Sequence, residues 1–212
     1  MSHILAIGDL HTKAQIIDKV EKVIDNYDAI VFVGDYADDW NTSPLMTIAI
    51  WRKLKELQEK YGEKVTALIG NHDYSYILSF RPYSSGYNAT TQMLLSTPEN
   101  KELLSWLKDL PVTKELDGVV YSHAGIDISW NGSLDDNSLW ADNSPLWTRP
   151  DDTDYTDTPQ VFGHTPSKTC YEVAPNIWCI DTFSTYPDGT PVGDGTVLEI
   201  TDGKTFNKIK LK

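Results

Sequence analysis

Four of the five histidines directly follow a short apolar run and a turn, a position from which a side chain can bind a metal ion. A further segment of this kind carries two carboxylates and no histidine. The segments are Gly8-Asp9-Leu10-His11, Gly34-Asp35-Tyr36-Ala37-Asp38, Gly70-Asn71-His72-Asp73, Ser122-His123-Ala124-Gly125 and Gly163-His164-Thr165-Pro166. They offer nitrogen and oxygen donors without a thiolate, which suits Mn, Fe, Zn or Co better than copper or an iron–sulfur cluster.

These donors are numerous enough for more than one metal ion. In an open sheet the carboxyl ends of the parallel strands share one edge, where ligands bind. Strand ends meeting at such an edge would collect the side chains of Asp9, His11, Asp35, Asn71, His123 and His164. This set is too large for a single tetrahedral zinc. It suits two metals roughly 3.5–4 Å apart that share one carboxylate.

The first half of the chain alternates apolar runs with helical periodicity. Apolar runs at 4–7, 29–33 and 65–69 predict strands, and a glycine follows each of them. Helical spacing of apolar residues begins after Thr12, the predicted N-cap, and a second helix is predicted over 44–61. This βαβαβ order indicates a largely parallel sheet covered by helices.

The second half of the chain has a different pattern. A helix is predicted to begin near Pro98 and to end before Pro111. Residues 126–159 are rich in Asp, Asn, Ser, Thr and Pro, without clear periodicity, which is typical of a functional loop or lid. Short apolar runs predict strands, the first two as a hairpin, at 112–116, 119–121, 169–173, 177–180, 197–200 and 205–211.

The expected fold class is α/β, with parallel strands early and antiparallel strands late. A sandwich of two packed mixed sheets flanked by helices fits this order best. No domain linker stands out, so we expect one domain over residues 1–212, with a long loop or lid at about 126–159.

Composition narrows the classes of partner. Eighteen basic and 31 acidic residues give a net charge of −13, which repels phosphate backbones, so extended nucleic acid is not an expected partner. No apolar run is long enough to cross a bilayer, and no signal peptide is evident. Cys170 and Cys179 are expected to be reduced and buried, with a bridge across two strands as the alternative. We therefore expect a cytoplasmic protein, and the sequence leaves its oligomeric state open.

The ordered motifs resemble those of the calcineurin-like metallophosphoesterases. That family's pattern is Asp-x-His, Gly-Asp-x-x-Asp, Gly-Asn-His-Asp/Glu, an isolated His and Gly-His, and all five motifs occur here in order over residues 8–166. Each motif alone is common, whereas the ordered set is specific. The segments around His123 and His164, with Ile180-Asp181-Thr182, resemble a bacterial and phage branch that includes protein phosphatases and diadenosine tetraphosphatases.

The resemblance implies a four-layer α/β/β/α sandwich and two divalent metal ions. Mn²⁺ is the first expectation, with Fe, Zn, Co, Ni or Mg as alternatives. Many relatives carry a further histidine for the first metal where this chain has Pro166, so water is expected there. The implied ligands are Asp9 and His11 for the first metal, Asp35 for both, and Asn71, His123 and His164 for the second.

The resemblance also implies roles at the substrate. His72 would be the general acid, oriented by Asp38, and Asn71 and His72 would contact the phosphate. Arg149, within Leu146-Trp147-Thr148-Arg149, is the expected phosphate clamp, with Arg81 as a second candidate.

One position departs from the pattern. The protein phosphatases of the family carry a phosphate-binding arginine where this chain has Asp39, which weakens the case for a phosphoprotein substrate without displacing it as the first expectation. Outside the predicted site set, Asp73 is expected to bind backbone N–H groups and Asp181 to stabilise a turn. The loop tryptophans, Trp130, Trp140 and Trp147, either stack on a nucleobase or pack the loop onto the core.

The expected function is a metal-dependent phosphatase that hydrolyses phosphomonoesters by attack of a hydroxide bridging the two metals. A serine/threonine phosphoprotein is the first substrate expected. The enzymatic alternative is hydrolysis of a dinucleoside polyphosphate such as diadenosine tetraphosphate, or of a phosphodiester. The non-enzymatic alternative is a metal-binding module that recognises a partner.

Overall fold

The computed structural model describes residues 1–40, 42–78 and 84–211, whose strands form two five-stranded sheets. The first sheet has the order β10-β9-β1-β2-β3. Its strands are β1 (His3–Ile7), β2 (Ala29–Phe32), β3 (Val65–Ala67), β9 (Thr196–Thr201) and β10 (Thr205–Lys210). The second sheet has the order β4-β5-β6-β8-β7. Its strands are β4 (Thr113–Leu116), β5 (Val119–Ser122), β6 (Gln160–Phe162), β7 (Tyr171–Ala174) and β8 (Ile177–Cys179).

Six α-helices and several short 3-10 helices connect the strands in the described part of the chain. The α-helices are α1 (Gln15–Val23), α2 (Pro44–Tyr61), α3 (Asn71–Ile77), α4 (Ala89–Leu95), α5 (Lys101–Asp109) and α6 (Asp136–Leu139). The 3-10 helices are Ile24–Asn26, Gly62–Lys64, Pro98–Asn100 and Pro150–Asp152. None of the described helices is long and apolar enough to cross a membrane.

The predicted α/β class with two packed mixed sheets is confirmed, but the strand directions are only partly as expected. In the first sheet β1, β2 and β3 are parallel, and β9 and β10 run antiparallel to them. In the second sheet β5, β6 and β8 are parallel, whereas antiparallel strands were expected. The long connection over 123–159 crosses back over the sheet, so β6 enters in the same direction as β5.

Helix α2 spans the predicted residues, whereas α1 begins later than expected. Pro44 opens α2, and Gly62 follows it with φ 59°. Thr12 does not cap α1, because it has φ 64° and its N–H donates to the carbonyl of Tyr36. The turn before α1 is therefore bonded to the loop after β2.

The core explains why the sheets stack. Along β1, Ile4 and Ala6 face the second sheet, while Leu5 and Ile7 face the helices. This alternation is the period of a strand buried on both faces. The tryptophans of the 126–159 segment pack against the helical side of the core, as the loop-packing alternative expects.

Candidate metal centre

The residues predicted as metal ligands converge at one edge, where parallel strands of both sheets end. Four of them follow β1, β2 and β3, with Asn71 as the first residue of α3, and the other two lie in the loops after β5 and β6. The residues that lie close together there are Asp9, His11, Asp35, Asn71, His123 and His164. All except the half-buried His11 are buried. The two sheets thus meet at one polar centre.

One group of donors, which we call the His123 cluster, consists of Asp35, Asn71, His123 and His164. Nε2 of His123 lies 2.7 Å from Oδ1 of Asn71 and 3.2 Å from Nδ1 of His164. Nδ1 of His164 lies 3.1 Å from the same Asn71 oxygen. Oδ2 of Asp35 lies 3.4 Å from Nε2 of His123. These atoms surround one point from which a single cation could contact all four.

A second group, the Asp9 cluster, consists of Asp9, His11 and Asp181. One ligand atom from each lies within 4.8 Å of the others. Asp181 does make the predicted turn contact, because its carboxylate accepts the Ser184 hydroxyl at 2.8 Å. Asp181 also gives the cluster a third possible ligand, whereas Pro166, at the position where many relatives have a histidine, offers none. The sequence pattern that could have indicated Asp181 as a ligand is the one shared by the other ligands, namely a polar side chain shortly after the end of a strand.

Asp35 lies between the two clusters. Its Oδ2 atom is 3.4 Å from Nε2 of His123 and 3.9 Å from Nε2 of His11. Its Oδ1 atom accepts the backbone N–H of His72 at 2.9 Å. One carboxylate therefore faces both groups of donors, which is the geometry expected of a shared ligand.

The backbone around the clusters is unusual at several of these positions. His11, Asp35, Asp38 and His164 all have positive φ, between 40° and 64°, where side chains other than glycine are uncommon. A Cβ atom at Gly163 would collide with the Asp9 carboxylate. Strain of this kind is held by the surrounding fold and concentrates at functional sites.

The donor set fits divalent cations. Nδ1 of His123 donates to the Val33 carbonyl at 3.0 Å, and Nδ1 of His11 donates to the Asp38 carbonyl at 2.7 Å. In each ring Nε2 therefore presents a lone pair towards the clusters. Burial lowers the pKa of His123 well below its usual value and that of His11 to about 4, so a proton does not occupy these positions near neutral pH.

Within the described ranges, the buried carboxylates of the two clusters lack an ion pair with a lysine or arginine. Burial raises the pKa of Asp9 well above its usual value, that of Asp35 to about 8 and that of Asp181 to about 6. In the described part of the chain no lysine or arginine forms an ion pair with any of these three carboxylates. Bound cations would supply the missing positive charge.

His72 and Asp38 form a hydrogen-bonded pair beside the clusters. Nδ1 of His72 lies 3.1 Å from Oδ2 of Asp38. Asp38 also accepts hydroxyl hydrogen bonds from Tyr76 at 2.5 Å and from Ser84 at 3.1 Å. Burial alone would lower the pKa of His72, but the Asp35 and Asp38 carboxylates raise it to about 9. The imidazole can therefore carry a proton at neutral pH.

Besides residues of the clusters and the His72–Asp38 pair, Arg149 and Asp39 line the cleft that opens onto the clusters. Arg149 is exposed. The pKa of His164 is lowered to about 3, first by the burial of the His164 ring and next by the positive charge of Arg149. Asp39 forms an ion pair with Lys13 at 2.7 Å and accepts the Thr185 hydroxyl. These contacts hold the pKa of Asp39 below its usual value despite partial burial. Arg81 lies outside the described residues.

Comparison with known proteins agrees with this geometry. Residues 2–196 match the model of the calcineurin-like phosphoesterases. The chain belongs to the calcineurin-like phosphoesterase family. Phosphoesterases of this family hydrolyse phosphate esters and generally bind two divalent metals.

Curated relatives of this phosphoesterase match over part of their length. A symmetrical bis(5'-nucleosyl)-tetraphosphatase from Vibrio campbellii is 35% identical over 75 residues, which is 33% of this chain and 26% of that protein. The protein of the same name from Bordetella pertussis is 26% identical over 137 residues, 61% of this chain and 46% of its own. The matched segments thus span less than half of either relative.

Solved structures resemble this phosphoesterase over nearly its whole length. A cold-active protein-tyrosine phosphatase from a psychrophilic Shewanella species has a TM-score of 0.67 at 18% identity and covers 100% of this chain and 81% of its own. A protein serine/threonine phosphatase from Saccharomyces cerevisiae has a TM-score of 0.65 at 12% identity. The match covers 99% of this chain and 80% of the yeast chain. At such identities the likeness concerns the fold.

Proposed function

We propose that this chain is a phosphoesterase that works with two divalent cations, one in the His123 cluster and one in the Asp9 cluster. The observation that carries the proposal is the position of Asp35, whose Oδ2 atom faces histidines of both clusters at 3.4 and 3.9 Å. Mn²⁺ is the first candidate, because imidazole and carboxylate donors suit it, and Fe, Zn, Co, Ni or Mg are alternatives. Bound cations would supply Lewis acidity and lower the pKa of a water molecule.

The chain's own residues would then complete the hydrolysis. A water molecule gives one proton to the solvent and its oxygen bonds to phosphorus, while the bond between phosphorus and the leaving oxygen breaks. Protonated His72 donates a proton to that leaving oxygen. Asp38 accepts the Nδ1–H of His72 and so holds the ring in the orientation that would present the Nε2–H to the substrate. Arg149 and Asn71 would bind phosphoryl oxygens. General-acid catalysis of this kind contributes about 10²–10⁴-fold.

The substrate that these observations favour is a dinucleoside polyphosphate, cleaved at a phosphoryl group held over the clusters. The matched relatives are named as tetraphosphatases of that kind. Asp39, at the position of the phosphate-binding arginine of protein phosphatases, is paired with Lys13 and offers the phosphate no positive charge. A phosphoprotein is the second candidate, since the fold is also that of serine/threonine phosphatases. A cytoplasmic location stays a prediction.

Hydrolysis by the purified protein with added Mn²⁺ tests the proposal. The substrates are p-nitrophenyl phosphate, bis-p-nitrophenyl phosphate, a phosphopeptide and diadenosine tetraphosphate. We expect turnover of the dinucleotide well above that of the phosphopeptide. We expect His72→Ala to lower kcat by about 10²–10⁴-fold, while His3→Ala, at a histidine outside the site, changes nothing.

Metal content is measured on the same samples. Elemental analysis should find two equivalents of Mn²⁺ in the wild type, and fewer in Asp35→Asn than in the control Asp25→Asn. Two bound equivalents without turnover of any substrate would favour the metal-binding module instead. Faster turnover of the phosphopeptide would reverse the proposed order of substrates.

A further inference from the structure

Trp40 is set apart from the other tryptophans by its exposure. Of the seven tryptophans, all of which lie in the described part of the chain, Trp40 alone is exposed, at 47% of its surface. Trp40 lines the same cleft as His72 and Asp38. A large flat apolar ring turned to solvent inside a polar cleft offers a surface for a ligand.

The orientation of the Trp40 ring is held in place. Nε1 donates to the backbone carbonyl of Thr185 at 3.0 Å. The backbone N–H of Trp40 donates to Oδ1 of Asp39 at 2.8 Å, and Asp39 is itself bound to Lys13 and to the Thr185 hydroxyl. Because the indole N–H is already satisfied, what the ring can offer to a ligand is its π surface. A ring positioned in advance loses little conformational entropy on binding.

The cleft around Trp40 suits a nucleoside. Its volume is about 420 Å³, within the range of small-molecule sites. Hydroxyl groups and peptide groups of Ser84, Ser85, Gly86 and Thr185 line it, whereas no described Leu, Ile, Val or Met does. A ribose and a base edge can form hydrogen bonds with such a lining. Among the described residues, Pro166 is the one aliphatic partner that a peptide side chain would find there.

The position of Trp40 also relates it to the leaving group. Asp38 binds the imidazole of the proposed general acid, and Trp40 follows two residues later. Gly86 packs directly against the Asp38 side chain and lines the same cleft. A group attached to the oxygen that His72 protonates would therefore lie in the cleft that Asp38, Gly86 and Trp40 also line.

We propose that Trp40 is a specificity-determining residue that stacks on the base of the leaving nucleotide. The proposal rests on the function proposed above and names the part of the substrate that the cleft selects. The Lys13–Asp39 pair at the position of a phosphate-binding arginine then has a function, since it fixes the segment that carries the stacking ring.

The test compares a nucleotide with a phosphoester that lacks a ring. kcat and KM are measured for diadenosine tetraphosphate and for phosphoserine with Mn²⁺ in wild type, Trp40→Phe, Trp40→Leu and Trp40→Ala. We expect KM for the dinucleotide to rise about 5- to 150-fold in the Leu and Ala variants. KM for phosphoserine should not change in these variants. In Trp40→Phe, KM for the dinucleotide should stay near the wild-type value because an aromatic ring is kept. Met93→Ala, an exposed apolar residue outside the cleft, is the matched control.

Inhibition constants give a second readout without turnover of a nucleotide. Adenosine monophosphate should lose affinity in Trp40→Leu, while inorganic phosphate should not. Equal changes in KM for both substrates, or a Leu variant as selective as the Phe variant, would overturn the stacking proposal. A wild type that hydrolyses neither substrate would instead refute the proposed function.

Discussion

The buried indole of Trp51 donates its N–H to Oδ1 of Asp73 at 2.8 Å. The same carboxylate accepts the backbone N–H of Ala37 at 2.9 Å and that of Tyr36 at 3.1 Å. These two residues directly follow Asp35, the proposed shared ligand, and Asp73 lies in the first turn of α3. One buried carboxylate therefore ties the turn bearing Asp35 to two helices, as the sequence predicted for Asp73.

Replacing Trp51 by phenylalanine should weaken this junction. Trp51→Phe removes one hydrogen bond from a buried carboxylate and leaves a small cavity, so we expect a loss of about 2–4 kcal/mol in the free energy of unfolding. Urea denaturation of the metal-free protein measures it. The matched control is Trp106→Phe, whose half-buried indole donates to Gln58, with an expected loss of about 1 kcal/mol. Equal losses in the two variants would contradict the special role of the Asp73 junction.

Asp181 should be a metal ligand as well as a turn residue. Asp181→Asn keeps a group that can accept from Ser184 but removes the charge, so we expect Mn²⁺ affinity at one of two sites to fall by at least about 10-fold. Ser184→Ala removes the turn contact and keeps the carboxylate. Calorimetric titration with Mn²⁺ compares the two variants. If they lose the same affinity, Asp181 acts on the turn alone.

The stability of the metal-free protein should fall as the pH rises from 7 to 9. Burial raises the pKa of Asp35 from 3.8 to about 8. Although burial opposes it, Asp35 and Asp38 raise the pKa of His72 from 6.5 to about 9. In this window the folded protein binds more protons than the unfolded chain, so the free energy of unfolding falls, by roughly 3–4 kcal/mol in total.

Urea midpoints at pH 7, 8 and 9 with a chelator present measure this fall. The lowered pKa values of His11 and His164, about 4 and about 3, act below pH 6.5 and do not affect the window. Saturating Mn²⁺ should reduce or reverse the fall, because the cation replaces the protons at the carboxylates. A stability that is constant from pH 7 to 9 without metal would show that Asp35 and His72 titrate as they do in the unfolded chain.

Some features could be predicted from local sequence because one residue decides them. Pro44 begins α2 and Gly62 follows its end, so its bounds needed no tertiary information. The convergence of the six ligands followed from a general property of parallel strands. By contrast, α3 and α4 have seven residues each, which is too short for a clear helical period.

Other features depend on partners that are distant in sequence. Three-residue strands such as β6 and β8 carry no signal for their direction, so the parallel pairing in the second sheet could not be predicted. Asp39 suggested repulsion of phosphate, because its partner Lys13 lies 26 residues away. Stacking on a base was considered for the loop tryptophans and not for Trp40, because the exposure of Trp40 is a property of the folded cleft.

Tyr76 should influence the protonation step through Asp38. Its hydroxyl donates to Oδ1 of Asp38 at 2.5 Å and accepts the backbone N–H of Asn88 at 2.9 Å, so it holds the carboxylate that orients His72. In Tyr76→Phe this orientation is lost, and we expect kcat to fall about 10-fold for an alkyl phosphate, whose leaving oxygen needs the proton. For p-nitrophenyl phosphate, whose leaving group departs without protonation, the fall should be smaller. Tyr87→Phe, at the ring that stacks on Tyr76, is the control. A purely structural effect of Tyr76→Phe would lower kcat for both substrates by the same factor.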